Sequence, residues 1–163
     1  MTLFDFSQAD TVQRFSAVDD RVMGGVSKSR MISTAEGTAA FQGHLSLDQG
    51  GGFASVRADD VELDLSDSEG VELEVRGDGR TYQLRFRHDG RFDGVNYRAR
   101  FDTKDGEWQT VRLPFSAFEP TFRGRIVRDA PPLDPARIRQ VGFLVADEQE
   151  GEFRLEVREI SAY

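Results

Sequence analysis

Apolar residues recur at every second position through most of this chain, and that regularity decides what it can fold into. Val71, Leu73 and Val75 share one face of residues 71–75, and Glu72 and Glu74 share the other. Residues 81–87 alternate Tyr82, Leu84 and Phe86 with Gln83, Arg85 and Arg87. Residues 95–101 alternate Val95, Tyr97, Ala99 and Phe101 with polar side chains, and 152–160 do the same with Phe153, Leu155 and Val157. Val61, Leu63 and Leu65 give the same pattern over 61–65. Side chains along a strand point to opposite faces in turn, so the pattern predicts half-buried antiparallel strands. Segments 38–47 and 51–57 add two more strands, and the apolar run 140–147 a more deeply buried one.

Gly-rich and Asp-rich turn signals separate these strands, at 67–70, 77–80, 88–94, 104–107 and 148–151. Gly77-Asp78-Gly79-Arg80 reads as a hairpin turn. No long helical period occurs, although 7–15 suits a short helix and Asp134-Pro135 a single helical turn. All five prolines lie within 114–135. Proline cannot donate to a ladder, so a long crossing loop is expected over about 114–137. Many short strands with no long helix indicate an all-β sandwich or barrel. The 163 residues form one domain, 1–163, with no repeat or linker.

Composition narrows the function. The net charge of -8 argues against nucleic acid and against an anionic membrane surface. Arginines nevertheless crowd 76–100 and 123–128. The absence of Cys removes thiolate catalysis and Cys-ligated metal. No apolar run approaches the roughly 20 residues of a membrane span. The N-terminal residues have neither a signal-peptide nor a presequence pattern, which gives a cytoplasmic protein as the expectation.

Several segments together carry a family resemblance. They are Asp20-x-x-Met23-Gly24-Gly25-x-Ser27, the segments 41–57, 70–87 and 97–103, Leu113-Pro114-Phe115 within 108–125, and 142–162. In this order they resemble the complex I intermediate-associated protein 30 family over essentially the whole chain. The resemblance implies a galactose-binding-like jelly-roll β-sandwich. It also implies a non-enzymatic binding or assembly domain with a protein partner, since mitochondrial members act as assembly factors for respiratory complex I. This chain looks like a free-standing, bacterial version of that domain. No cofactor is implied, but galactose-binding-like domains frequently hold a structural calcium. Asp64, Asp67 and Glu69, and Asp147, Glu148 and Glu150, are the oxygen-rich stretches to inspect for one.

The run Asp19–Ser29 lacks the spacing and the following helix of a phosphate loop. Two readings stay open for it. Gly24 and Gly25 shape a corner braced by Asp20 or Ser27, or Asp20, Arg21 and Ser27 face a ligand or partner from the sandwich edge. Gln49-Gly50-Gly51-Gly52-Phe53 is a loop that could shape a groove beside them. His44 and His88 have no catalytic spacing, and no nucleophile elbow occurs. On the wet faces of the strands, Arg57, Arg85 and Arg87 suit an anionic partner. Trp108, out of phase with Val111 and Leu113, is the candidate for the alternative function, carbohydrate binding.

Overall fold

The structure, a computed structural model, describes residues 1–19, 25–48, 52–91 and 94–163. The candidates Asp20, Arg21 and Gly24 therefore lie outside the described residues, as do 49–51 of the Gly-rich loop.

The described residues form two antiparallel sheets. Along the chain the strands are β1 (Thr2–Asp5), β2 (Ser16–Ala17), β3 (Lys28–Ser33), β4 (Ala39–Leu45), β5 (Ala54–Ala58), β6 (Gly70–Arg76), β7 (Thr81–Arg87), β8 (Asn96–Asp102), β9 (Trp108–Pro114), β10 (Glu119–Phe122), β11 (Arg125–Ile126), β12 (Gln140–Val145) and β13 (Gly151–Ala162). One sheet runs β3-β4-β13-β6-β9, with β1 continuing the β4 side of β13. The other runs β11-β10-β8-β7-β12-β5-β2. A short helix, α1 (Ala9–Gln13), follows β1 as expected, and its Val12 is buried.

The alternation read from the sequence sorts side chains as the sheets require. Tyr82, Leu84 and Phe86 of β7, Ala99 and Phe101 of β8, and Phe143 and Val145 of β12 point inward. They meet Phe41, Leu73, Val75, Phe153 and Leu155 of the facing sheet. Phe41 and Phe153 pack edge to face at 4.9 Å, and Phe86 stacks on Phe118 at 4.8 Å. Burying each of these large side chains contributes roughly 1.5–3 kcal/mol. All six residues of β12 are buried, in line with its unbroken apolar run and its central place in the sheet.

Three expectations need correction. Residues 61–65 are not a strand. Only Leu63 pairs, with Ile138, while the Leu65 N–H donates to Pro135 O, so the backbone is satisfied by the returning Pro-rich segment. Gly77–Arg80 is not a hairpin turn, because β6 and β7 belong to different sheets. It carries the chain across the sandwich, anchored by Asp78, which accepts from Tyr82 Oη (3.0 Å), Arg80 Nη1 (3.0 Å) and Arg154 N (2.9 Å). Burial, then the Asp78 charge and hydrogen bond, push the Tyr82 hydroxyl far above its ordinary value.

The third correction concerns 114–137, which is not wholly irregular. It holds a 3-10 turn at Phe115–Ala117 and the β10–β11 hairpin. Phe122 pairs with Arg125, so Arg123 and Gly124 form a two-residue turn. Both have positive φ, 51° and 81°, as a type I′ hairpin turn demands. Pro120 fits within β10 opposite Tyr97 of β8, and its carbonyl accepts from Val127 N at 3.0 Å.

Candidate functional site

The outward residues of the seven-stranded sheet are as regular as the inward ones. Register places Arg57 of β5, Gly142 of β12, Arg85 of β7 and Arg98 of β8 in one row across four adjacent strands. A second row is Ser55, Leu144, Gln83 and Arg100, and Gln140 stands beside Arg87. These residues line a groove of about 530 Å³, flanked by Gly52 and Phe53 on one side and by Arg123 and Gly124 of the hairpin on the other. That volume is in the range of a small-ligand site.

Gly142 gives the groove its depth. A Cβ there would lie 2.8 Å from Val56 O and 3.1 Å from Arg57 Cβ, so no side chain fits between the two flanking arginines. The floor is amide-rich, because Gln83, Asn96 and Gln140 are each 2% exposed. Gln140 is fixed by donating to Asp89 O (2.9 Å) and Arg91 O (2.6 Å), and its Oε1 accepts from Arg57 Nη1 (3.0 Å). Gln83 Oε1 accepts from Arg85 Nε (3.0 Å), and Arg87 Nη1 donates to Gly94 O (3.1 Å). Asn96 Oδ1 accepts from Thr121 Oγ1 (2.8 Å), tying β8 to the hairpin.

The charge is one-sided. Among the described lining residues there are six arginines and one carboxylate, Asp147, which pairs with Arg100 at 3.1 Å. Arg57 lies 3.8 Å from Asp59, whose own side chain is 63% exposed. Among the described residues neither Arg85 nor Arg98 forms an ion pair. Burial first, and then Arg87, Arg98 and Arg57, push the Arg85 guanidinium down from its ordinary value to about 9, against a smaller opposing pull from Asp147. It stays charged at neutral pH, so the groove holds a half-buried cation opposed by like charges.

The structure thus brings Arg57, Arg85 and Arg87 together and separates them from the other candidates. Trp108 does point away from the face of Leu113, as its phase implied, but it lies on the six-stranded sheet. Arg76 and Arg158 stack on its ring at 5.2 and 4.0 Å. Ser27 is fully buried, with Oγ donating to Ser46 O (3.1 Å) and accepting from Ser46 N (2.9 Å). Gly25 is buried beside it. Among the described residues of this run, Ser27 and Asp19, the latter passed over in the sequence, bond to the strands around them. The Asp19 carboxylate accepts from Ser29 N (2.9 Å), Ser29 Oγ (2.5 Å) and Ser55 N (3.0 Å), and so clasps β3 of one sheet to β5 of the other.

The acidic stretches carry bonds within the chain, local for Asp64 and long-range for Asp147 and Glu150. Asp64 accepts from Ser66 N, and Glu150 from Leu47 N. Among the described residues no three His, Asp or Glu side chains converge as a metal site. His44 is exposed on β4. His88 accepts from Asp134 N through Nε2 (2.8 Å), and its ring packs on Tyr97. Burial, and then Arg137, hold its pKa below the usual value, so it stays a neutral acceptor.

Known proteins share this chain's sequence and fold. A family model described as Complex I intermediate-associated protein 30 matches residues 4–157. An uncharacterised protein of Schizosaccharomyces pombe is 32% identical over 92% of this chain and 78% of its own length. The mitochondrial complex I intermediate-associated protein 30 of Drosophila melanogaster is 27% identical over 95% of this chain, and that of Mus musculus 33% identical over 63%. The chain spans only 60% and 33% of those two proteins. The cytoplasmic expectation is overturned here, because these relatives are named as mitochondrial. Among solved structures, the family 11 carbohydrate-binding module of a Clostridium thermocellum cellulosomal cellulase superposes with a TM-score of 0.71, at 17% identity over 98% of this chain and 92% of that one. The agarase AgWH50C gives 0.65 at 15% identity, over all of this chain and 24% of that one. At such identities the likeness shows the fold, a jelly-roll β-sandwich of the galactose-binding-like kind. Among the described residues no helix is long and apolar enough to cross a membrane.

Proposed function

This chain belongs to the complex I intermediate-associated protein 30 family, and from that premise we propose that it is a binding domain, not an enzyme, whose arginine groove receives an acidic segment of a protein partner during assembly of a larger complex. The observation that carries the reading is the row Arg57–Gly142–Arg85–Arg98, a half-buried set of like charges short of carboxylates. Holding such charges together is unfavourable until an anion arrives, and guanidinium forks match carboxylates in geometry. The names of the relatives support an intermediate of respiratory complex I as the partner.

The test is capture of complex I subunits from cells of the source by the immobilised domain, compared with a double variant, Arg85→Glu and Arg98→Glu. The reading expects capture that is lost on charge reversal. Capture equal for both proteins would show that the groove is not the binding face. Carbohydrate binding is the second reading, supported by the amide floor of Gln83, Asn96 and Gln140 and by the fold shared with carbohydrate-binding modules. Among the described lining residues the groove offers only Phe53 as a partly exposed aromatic, against the aromatic platforms that sugars favour. Saturable binding of a neutral glucan oligosaccharide, unchanged by the charge reversal, would favour this second reading.

A further inference from the structure

The arrangement of the arginines says more than that the groove is basic. Arg85 and Arg98 are directly opposed on neighbouring strands, and Arg57 and Arg85 stand two strands apart across Gly142. Neighbouring strands lie about 4.7–4.9 Å apart, so the two arginines flanking Gly142 start roughly 10 Å apart, with an empty notch between them. Above Gly142, Arg57, which also holds Gln140 and lies near Asp59, stands on one side, and Arg85, with Arg98 one strand beyond it, on the other. Arg85 commits Nε to Gln83, and its terminal nitrogens carry no hydrogen bond among the described residues. Arg98 makes none either among the described residues.

Three arginines in one row offer more than a single carboxylate can use. A carboxylate brings one negative charge and two oxygens in a plane, which one or two forks saturate. A phosphate monoester brings close to two negative charges near neutral pH and three terminal oxygens, and can accept from three sides at once. The basic surface is also compact. Because the chain as a whole carries -8, a long polyanion leaving the groove would meet repulsion. Resting on the reading that this groove is the binding face, we propose that the row Arg57–Gly142–Arg85–Arg98 is a seat for the phosphoryl group of a phosphate monoester. The ester is either a free phosphorylated metabolite or a phosphorylated side chain of the partner.

The experiment titrates the full chain with inorganic phosphate at constant ionic strength, with acetate as the carboxylate control, by calorimetry and thermal melting. Phosphate is expected to bind one to one and at least tenfold more tightly than acetate. Arg85→Lys keeps the charge but loses the fork, and should weaken phosphate at least tenfold. Arg98→Gln should do the same and serves if the first variant fails to fold. Trp108→Ala, on the opposite sheet, should change nothing. Glycerol phosphate and a phosphoserine peptide then separate the two sources. The metabolite source expects the small ester to bind as tightly as the peptide, and the partner source expects the peptide to bind more tightly.

Phosphate binding no better than acetate, or unaffected by both arginine substitutions, overturns the seat. Loss of partner capture on charge reversal without phosphate binding would sink the seat and leave the binding face standing. Phosphate binding with partner capture indifferent to charge reversal would keep the seat and sink the assembly reading.

Discussion

Replacing Arg85 by Met should make the ligand-free domain more stable, although it removes a hydrogen-bonded side chain from the middle of a sheet. A guanidinium brought from its ordinary value to about 9 by burial and by Arg87, Arg98 and Arg57 is disfavoured as a cation by ~5 kcal/mol. The groove is open and wet, so relaxation and solvent reduce that to ~2–3 kcal/mol. Met keeps the length of the aliphatic stem, and the loss is chiefly the Arg85–Gln83 hydrogen bond, which costs ~1–2 kcal/mol because Gln83 Oε1 is buried. A net gain of ~1 kcal/mol raises the Tm of a chain this size by about 2–4 °C. The sign with pH follows from the lowered pKa. The penalty is complete while Arg85 is charged in both folded and unfolded states, and it is relieved only as pH rises through about 9 toward the ordinary guanidinium value. The gain should therefore be flat between pH 6 and 8. It should shrink as salt screens the repulsion. Urea unfolding of both proteins at low and high salt reads all of this. A fall of several degrees in Tm for Arg85→Met would refute the reasoning, since it would mean that the arginine is held by favourable contacts.

Asp19→Ala removes the acceptor of three donors on two sheets and should cost ~3 kcal/mol or more, read as a Tm lower by at least 6 °C, with Asp19→Asn milder. Gly142→Ala forces a Cβ to within 2.8 Å of Val56 O and should cost ~1–3 kcal/mol in urea unfolding. Because the His88 pKa is lowered in the fold, its contribution is complete above the unfolded value near 6.5 and is lost as pH falls through the folded value. His88→Gln should accordingly flatten the loss of stability as pH falls below about 6.5, measured by melting at a series of pH values.

The sheets were legible in the sequence wherever one face is packed and the other wet, because that asymmetry writes itself as period two. The alternation in 81–87 and 95–101 marked both the core residues and the arginines that face the groove, except that Val95 precedes β8 and is 37% exposed. What the period cannot carry is the choice of partner strand. Gly77–Arg80 has the composition of a hairpin turn, and only the assignment of β6 and β7 to different sheets makes it a crossing. The hairpin tip at Arg123-Gly124 was hidden because arginine rarely occupies a positive-φ position, so the usual Asn-Gly signal was missing. Asp19 was overlooked beside the family run because its role depends on two serines, one ten and one 36 residues later, being brought to one carboxylate. Gly142, which shapes the groove, sat unnoticed in an apolar run whose only visible message was burial.

The two sheets treat their arginines in opposite ways, and the difference ties the fold to its use. On the six-stranded sheet, Glu72 stands opposite Arg112 and bonds it at 2.8 Å. Glu156 stands opposite Arg76 and bonds it at 2.5 Å, and Glu74 meets Arg158 at 3.3 Å. Unlike cross-strand pairs of this kind stabilise a sheet and like pairs oppose it, and the Arg76 partner Glu156 is itself buried. On the seven-stranded sheet Arg85 stands opposite Arg98, with Arg57 beyond Gly142 in the same row. The chain carries 29 acidic residues against 21 basic ones, so carboxylates to neutralise that row were not scarce. The six-stranded sheet is not free of like pairs, since Glu74 stands opposite Glu159, but each of these three arginines meets a carboxylate, whereas among the described residues Arg85 and Arg98 meet none, at positions where burial makes that costlier.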